Sequence, residues 1–393
     1  MSICLSHITA LSVWRAARAS LLPAPSISHA AVPEKVAARE VRALRDSSLS
    51  TVVALDRPHL IVASQNGKTS RFSVACHCSF SSKVPPRLFS ITPDVCVVSI
   101  EDAFAQVSLR ASVESLMLLA FELCGTYSLL SDGSFVAARP LTSVRRLASR
   151  VEALAPFPGS VKAATALRYA FDGAASPAEA KLAMLLCLRQ TLGGYGFPAP
   201  CMNWRVDVTG DARKLTPRKY FVLDLFWADA MLDVEYDSNA FHRSPGALAS
   251  NAERRNTLQA MGYTVITVTS GQMASPDLFD DAARAIAKAL HIRVRHSCER
   301  WPRKRYDLRR RIEDPENLLL QVLSNNSAPK AARTSRLKAS RLNGAGSMKP
   351  DSGLTEWGSE PLCFVAEKTV SLKGLSGNLS RCPRARGVEV PVF

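Results

Sequence analysis

Asp224 and Glu235 are the residues whose type and spacing best suit chemistry. Lys219–Trp227 and Met231–Asp237 each alternate as strands, and Asp229 and Ala230 lie between them as a reversal. If 228 closes opposite 231, counting inward sets Asp224 across from Glu235, and a four-residue loop on the same centre keeps that register. Cross-strand partners on one sheet face hold their Cβ atoms about 4.5–5.5 Å apart. Two carboxylates that close repel by roughly 3 kcal/mol at an effective dielectric near 20. A divalent cation with oxygen ligands is the counter-charge such a pair suits. The competing explanation is a hairpin solvated on one side, with Asp233, Glu235 and Asp237 as plain surface acids on one face and Leu232, Val234 and Tyr236 on the other.

Other elements must hold that hairpin in place. Ser176-Pro177-Ala178-Glu179 reads as a helix start, with serine at the cap, proline in the first turn and glutamate three residues on. Glu179 is expected to reach back to the Ser176 amide in a capping box, and it is also a candidate site acid. A Gly/Pro-rich connector leads to a strand at Trp204–Val208, then to the hairpin and a helix opened by Ser244-Pro245. A β-branched strand at Tyr263–Thr269 and a last helix from Ser275-Pro276 complete the unit. Helix, three strands, helix, strand, helix implies a mixed sheet flanked by helices.

Upstream, residues 34–172 read as a smaller α+β domain. Helical pattern covers Glu34–Arg45, and strands are expected at Ser50–Leu55, Leu60–Ser64, Phe72–Cys76 and Val95–Ile100. Residues 1–33, with Arg15, Arg18 and no acid, are expected to be loosely ordered. Residues 173–295 form the second domain and 296–324 a basic helical extension. The composition of 325–393 predicts a disordered basic tail.

With 393 residues and 47% hydrophobic content the chain can build substantial cores, and no apolar run reaches membrane-span length. The net charge of +16 suits a polyanionic partner. From Glu299 onward there are 18 Lys/Arg against 10 Asp/Glu, so half of that excess belongs to the last quarter. The Arg303–Arg311 run suits nucleic-acid backbone contacts or a solvated basic face equally well. Ten cysteines without a C-x-x-C pair predict buried, reduced thiols in a cytoplasmic protein, and Cys76-His77-Cys78 with Cys96 does not match structural zinc spacing.

The order of acids and elements resembles the PD-(D/E)XK restriction-endonuclease-like superfamily, in particular its very-short-patch-repair-like (Vsr-like) branch, which includes bacterial domains of unknown function. The residues that carry it, over about 176–290, are Ser176–Ala180, Asp224, Glu235-Tyr-Asp237 with Phe241-His-Arg243, Ala252–Asn256, Leu258 and Gly262–Val268. Residues Arg57–Leu60 and Phe121–Tyr127 resemble abortive-infection antitoxin-like transcriptional regulators.

The first resemblance implies a magnesium-dependent, or manganese-dependent, endonuclease acting on DNA. Asp224, Glu235 and Asp237 would be metal ligands, with Glu179 supporting them and His242 a general acid or base. Arg243, Arg254, Arg255 and Gln272 would contact nucleic acid. The alternative is a catalytically inactive nuclease-fold DNA-binding module of an antitoxin-like regulator, with a protein partner in a toxin–antitoxin-like or defence system. In the superfamily a lysine follows the second acid by two residues. Here Asp237 stands in that place, which leaves water activation to His242, to a lysine such as Lys181 or Lys219, or to no residue.

Overall fold

The computed structural model describes residues 3–69, 71–79, 84–130, 133–238, 245–294 and 300–313. The fold is mixed α/β. Its first part runs β1 (Ile3–Leu5), α1 (His7–Arg18), β2 (Ser26–Ser28), α2 (Ala38–Asp46), β3 (His59–Val62), β4 (Ala75–Cys78), β5 (Leu88–Thr92) and β6 (Val95–Val98). These strands form one sheet in the order β2-β5-β6-β1-β3-β4. β1 lies inside it, parallel to β6 and antiparallel to β3.

The loosely ordered start expected for residues 1–33 is thereby corrected. Ile3, Cys4 and Leu5 are buried, and the two arginines of this segment are structural. Arg15 and Arg18 both pair with Glu122, whose side chain is fully buried. A buried carboxylate needs such donors, so the ion pairs fix α1 against the helix that carries Glu122.

The strand expected at Ser50–Leu55 is a short 3-10 turn, Ser48–Thr51. Ser47, Ser50 and Thr51 hydroxyls each donate to a backbone carbonyl three residues back, a local alternative to ladder pairing. The strand expected from Phe72 starts only at Ala75, because Phe72 and Ser73 adopt positive φ. At this edge of the sheet His7, His59 and His77 come together. Burial holds the His59 and His77 imidazoles down at about 4 and His7 well below its ordinary value.

The middle of the chain continues through α3 (Ile100–Val107), α4 (Val113–Cys124), the two-stranded ribbon β7 (Tyr127–Leu129) and β8 (Phe135–Ala137), α5 (Val144–Leu154) and α6 (Ser160–Leu167). Then follow α7 (Pro177–Cys187), β9 (Cys201–Asp207), β10 (Tyr220–Trp227), β11 (Leu232–Asp237), α8 (Pro245–Ala260), β12 (Thr264–Thr269), α9 (Ser270–Ala274), α10 (Pro276–Ala289) and α11 (Trp301–Glu313). The second sheet has the order β12-β11-β10-β9, with β11 and β12 parallel and the other pairs antiparallel. One hydrophobic cluster runs from Ile3 to Ile312, so the expected boundary at 172/173 is not a break in the core. A smaller cluster around Phe221, Phe226 and Leu258 covers the α8 side of the second sheet.

α11 is no loose basic extension. Leu308 and Ile312 are buried, and the Trp301 indole N–H donates to the Gly194 carbonyl at 2.9 Å. Arg305 pairs with Asp280, Arg309 donates to the Met273 carbonyl, and Arg311 pairs with Glu114. Three of the five arginines in the Arg303–Arg311 run thus tie the helix down. Cys4, Cys76, Cys78, Cys96, Cys124 and Cys187 are free thiols, whereas Cys201 is disulfide-bonded, which corrects the expectation of reduced cysteines throughout. Among the described residues no helix is long and apolar enough to cross a membrane. The expected tail, 325–393, lies outside the described residues.

Candidate functional site

The hairpin closes through a 3-10 turn at Ala228–Ala230, with Met231 at φ +46°. Leu225 pairs with Val234 and Phe226 with Asp233, and the same register continued places Asp224 across from Glu235. Leu225, Trp227, Leu232 and Val234 enter the main core. The acid-bearing residues open instead onto a cleft of about 370 Å³ lined by Asp224, Glu235, Asp237, Asn251, Arg254 and Arg255, among others.

Asp224 accepts a hydrogen bond from the Tyr236 N–H through Oδ2 at 3.0 Å. Burial, then the charges of Glu179 and Glu235, push its carboxyl up to about 7. Asp233 is fully buried and neither of its oxygens accepts a hydrogen bond, although the Arg254 guanidinium comes to 3.7 Å. Burial, followed by the neighbouring Glu235 charge, raises its carboxyl well above the ordinary carboxylate range. It is therefore not a solvated surface acid. Glu235 pairs with Arg254. Asp237 lines the cleft.

Glu179 is buried at the start of α7. Its carboxylate accepts from the Ala175 N–H at 2.9 Å, the Ser176 hydroxyl at 2.8 Å and the Asn203 side-chain amide at 2.6 Å. The Ser176 Oγ in turn accepts from the Glu179 N–H at 3.2 Å. The reciprocal cap therefore reaches Ala175, one residue earlier than the expected Ser176 amide. Asn203, at φ +48° on β9, was not singled out from the sequence. A lone Asn in an alternating strand gives no signal of that role.

Arg254 lies on α8, and Arg255 beside it is exposed at the cleft. Gln272 caps α9, accepting the Thr269 N–H at 3.0 Å and returning its own N–H to the Thr269 hydroxyl. Its side-chain oxygen is thus committed within the protein. His242 and Arg243 lie outside the described residues. Neither Lys181 nor Lys219 lines the cleft, and Arg254 is the cation that faces the acids.

Magnesium can be tested against this donor set. The acidic donors lining the cleft, Asp224, Glu235 and Asp237, all offer oxygens, and the mutual repulsion of Asp224 and its acidic neighbours helps to raise the Asp224 carboxyl. In donor type and charge the residues fit a hard divalent ion. Their arrangement is looser than the expected trio. Among the described residues no three carboxylates bring oxygens within 4.8 Å of one another, a spacing reached by His7, His59 and His77. Asp224, Glu235 and Asp237 share one cleft, and Arg254 holds Glu235 where an ion would compete for it.

Comparison with protein-family models, curated proteins and solved structures finds no match to this chain. The class defined here is a mixed α/β protein whose second sheet carries a cross-strand carboxylate pair beside a helix-borne arginine.

Proposed function

We propose that this chain is a metal-dependent endonuclease-like protein acting on DNA phosphodiester bonds, on a restriction-endonuclease-like fold of the Vsr-like kind. The observation that carries the reading is the Asp224/Glu235 register on β10 and β11 with Glu179 close behind it. Asp224 and Glu235 line one cleft from two antiparallel strands, and the Glu179 charge acts on Asp224 from the start of α7. Asp224 and Glu235 would hold Mg²⁺ or Mn²⁺, which when bound supplies phosphate polarisation and a more acidic water. Arg254 and Arg255 are placed to pair with phosphate oxygens. Glu179, fixed by Ala175, Ser176 and Asn203, would support the site through its charge on Asp224.

The Arg254–Glu235 pair favours a second reading, a non-catalytic DNA-binding module within an antitoxin-like regulator that has a protein partner. An arginine that permanently neutralises Glu235 would stand in for the ion. Plasmid nicking with Mg²⁺, Mn²⁺ and EDTA separates the two, run beside Asp224→Ala and Glu235→Ala with DNA binding measured in parallel. The endonuclease reading expects metal-dependent nicking that both variants lose while retaining DNA affinity. Salt-dependent DNA binding without nicking under any metal condition sinks it and leaves the module.

A further inference from the structure

The geometry points to a second metal centre, remote in sequence from the acidic cleft: His7, His59 and His77 form a three-imidazole site for Zn²⁺ that leaves one coordination position open. The three rings come from different elements. His7 opens α1, His59 opens β3 and His77 lies on β4, which pairs in parallel with β3. One ligand atom from each lies within 4.8 Å of the other two, and His77 Nε2 is 3.0 Å from His59 Nδ1. Zinc–nitrogen bonds of about 2.0–2.1 Å in a tetrahedron separate the nitrogens by roughly 3.4 Å, so small ring rotations suffice.

His7 is held for this role. Its φ is +50°, which a non-glycine residue rarely adopts at the start of a helix, and its backbone N–H donates to the Gln106 side-chain oxygen at 2.9 Å. Its Nδ1 meets the Ser6 hydroxyl at 3.0 Å, which leaves Nε2 for the ion. That outer hydrogen bond is the usual means of fixing a ligating imidazole. The ring stacks on His77 with centroids 3.7 Å apart.

Without an ion the cluster is poorly explained. Three neutral imidazoles crowd one partly buried spot and share a single ring-to-ring hydrogen bond. The cations Arg57, Lys68 and Arg110 all act electrostatically on the rings. Such cations oppose a bound dication, so a fourth ligand of negative charge would be needed to offset both. An anion, hydroxide or a phosphate oxygen, completes a dication flanked by arginines. The ion would clamp the N-terminal segment to the β3–β4 edge.

The test uses the full chain, treated with chelator and then titrated with Zn²⁺ and with Co²⁺ as a spectroscopic stand-in. One ion per chain is expected, with four-coordinate Co²⁺ absorption that lacks a thiolate charge-transfer band. His59→Gln and His77→Gln should each weaken binding by about 100-fold or more, whereas the exposed His29→Gln should not. Circular dichroism verifies that each variant is folded. Should either fail to fold, the wild-type chain decides the matter alone: Zn²⁺, and not Mg²⁺, must raise its melting temperature, reversibly with EDTA. A thiolate band assigns the ion to Cys76 or Cys78 and overturns the proposal. Equal Zn²⁺ affinity in the histidine variants, or no binding by the wild type, does the same.

Discussion

Arg254 donates to the Glu235 carboxylate and, at 2.6 Å, to the Val222 backbone carbonyl, so one side chain ties α8 to both strands of the acidic hairpin. Its Nη2 also lies 3.7 Å from Asp233. A single guanidinium therefore answers several buried or half-buried acids, and the site's stability and its affinity for cations are linked through it.

Arg254→Ala should for that reason lower stability and raise affinity for divalent ions together. Removing one partner of a largely buried pair leaves the other charge uncompensated, at a cost of about 2–4 kcal/mol. The loss should be larger at pH 8 than at pH 5, where Asp224 and Asp233 carry their protons. Chemical denaturation at both pH values, with and without Mg²⁺, measures it. An unchanged denaturation midpoint would show that Arg254 is a bystander.

Asp224 makes a separate pH prediction. Its carboxyl rises from about 3.8 in the unfolded chain to about 7 in the folded one. A raised pKa contributes stability that is fully present below about pH 4 and is lost as pH climbs through 7, at up to about 1.4 kcal/mol per unit. Asp233, raised for the same reason, carries the same trend to higher pH. Asp224→Asn should reduce the slope between about pH 4 and 7, leaving the share that Asp233 contributes, and make the variant more stable than wild type at pH 8. Melting temperatures across that range test this, and an equal slope in both proteins would refute it.

Much of this arrangement was legible in the residues. The register of Asp224 against Glu235 follows from counting across a four-residue reversal, and the caps at Ser176 and Ser275 follow from Ser-Pro at a helix start. Short-range rules reach that far because hairpins and caps are local. Two features were out of reach because their partners are distant in sequence. Arg15 and Arg18 read as part of a loosely ordered start until Glu122, more than 100 residues away, receives them. His7, His59 and His77 look like isolated histidines until β1, β3 and β4 are placed side by side. Asp233 was misjudged for a related reason. Alternation gives the face on which a side chain lies, but not whether a helix such as α8 covers that face.

Glu179→Ala should destabilise the fold even if the protein is no enzyme. The carboxylate satisfies the Ala175 N–H, the Ser176 hydroxyl and the Asn203 amide, so its loss frees three donors at the start of α7. About 1–3 kcal/mol is expected. The same change removes a like charge from beside Asp224 and should draw that pKa downward. The two effects separate by NMR titration of Asp224 alongside urea denaturation. A stable variant with an unmoved Asp224 would place Glu179 outside the site.

The basic run on α11 can be divided residue by residue. Arg305 is mostly buried against Asp280 and lies 5.2 Å over the Trp301 ring, and Arg309 sits 4.6 Å over Phe279, whereas Arg303 is exposed. Arg305→Ala should cost stability, on the order of 2 kcal/mol, because Asp280 loses its cation and Trp301 its cover. Arg303→Ala should leave the melting temperature within about a degree, because an exposed cation contributes little. If this face meets nucleic acid, Arg303→Ala lowers the slope of log affinity against log salt by about one. Paired measurements of melting and of DNA affinity at several salt concentrations decide between a structural and an electrostatic role. A salt slope that Arg303→Ala leaves intact would mean that this face does not touch DNA, and the acidic cleft with Arg254 and Arg255 would have to hold the phosphates by itself.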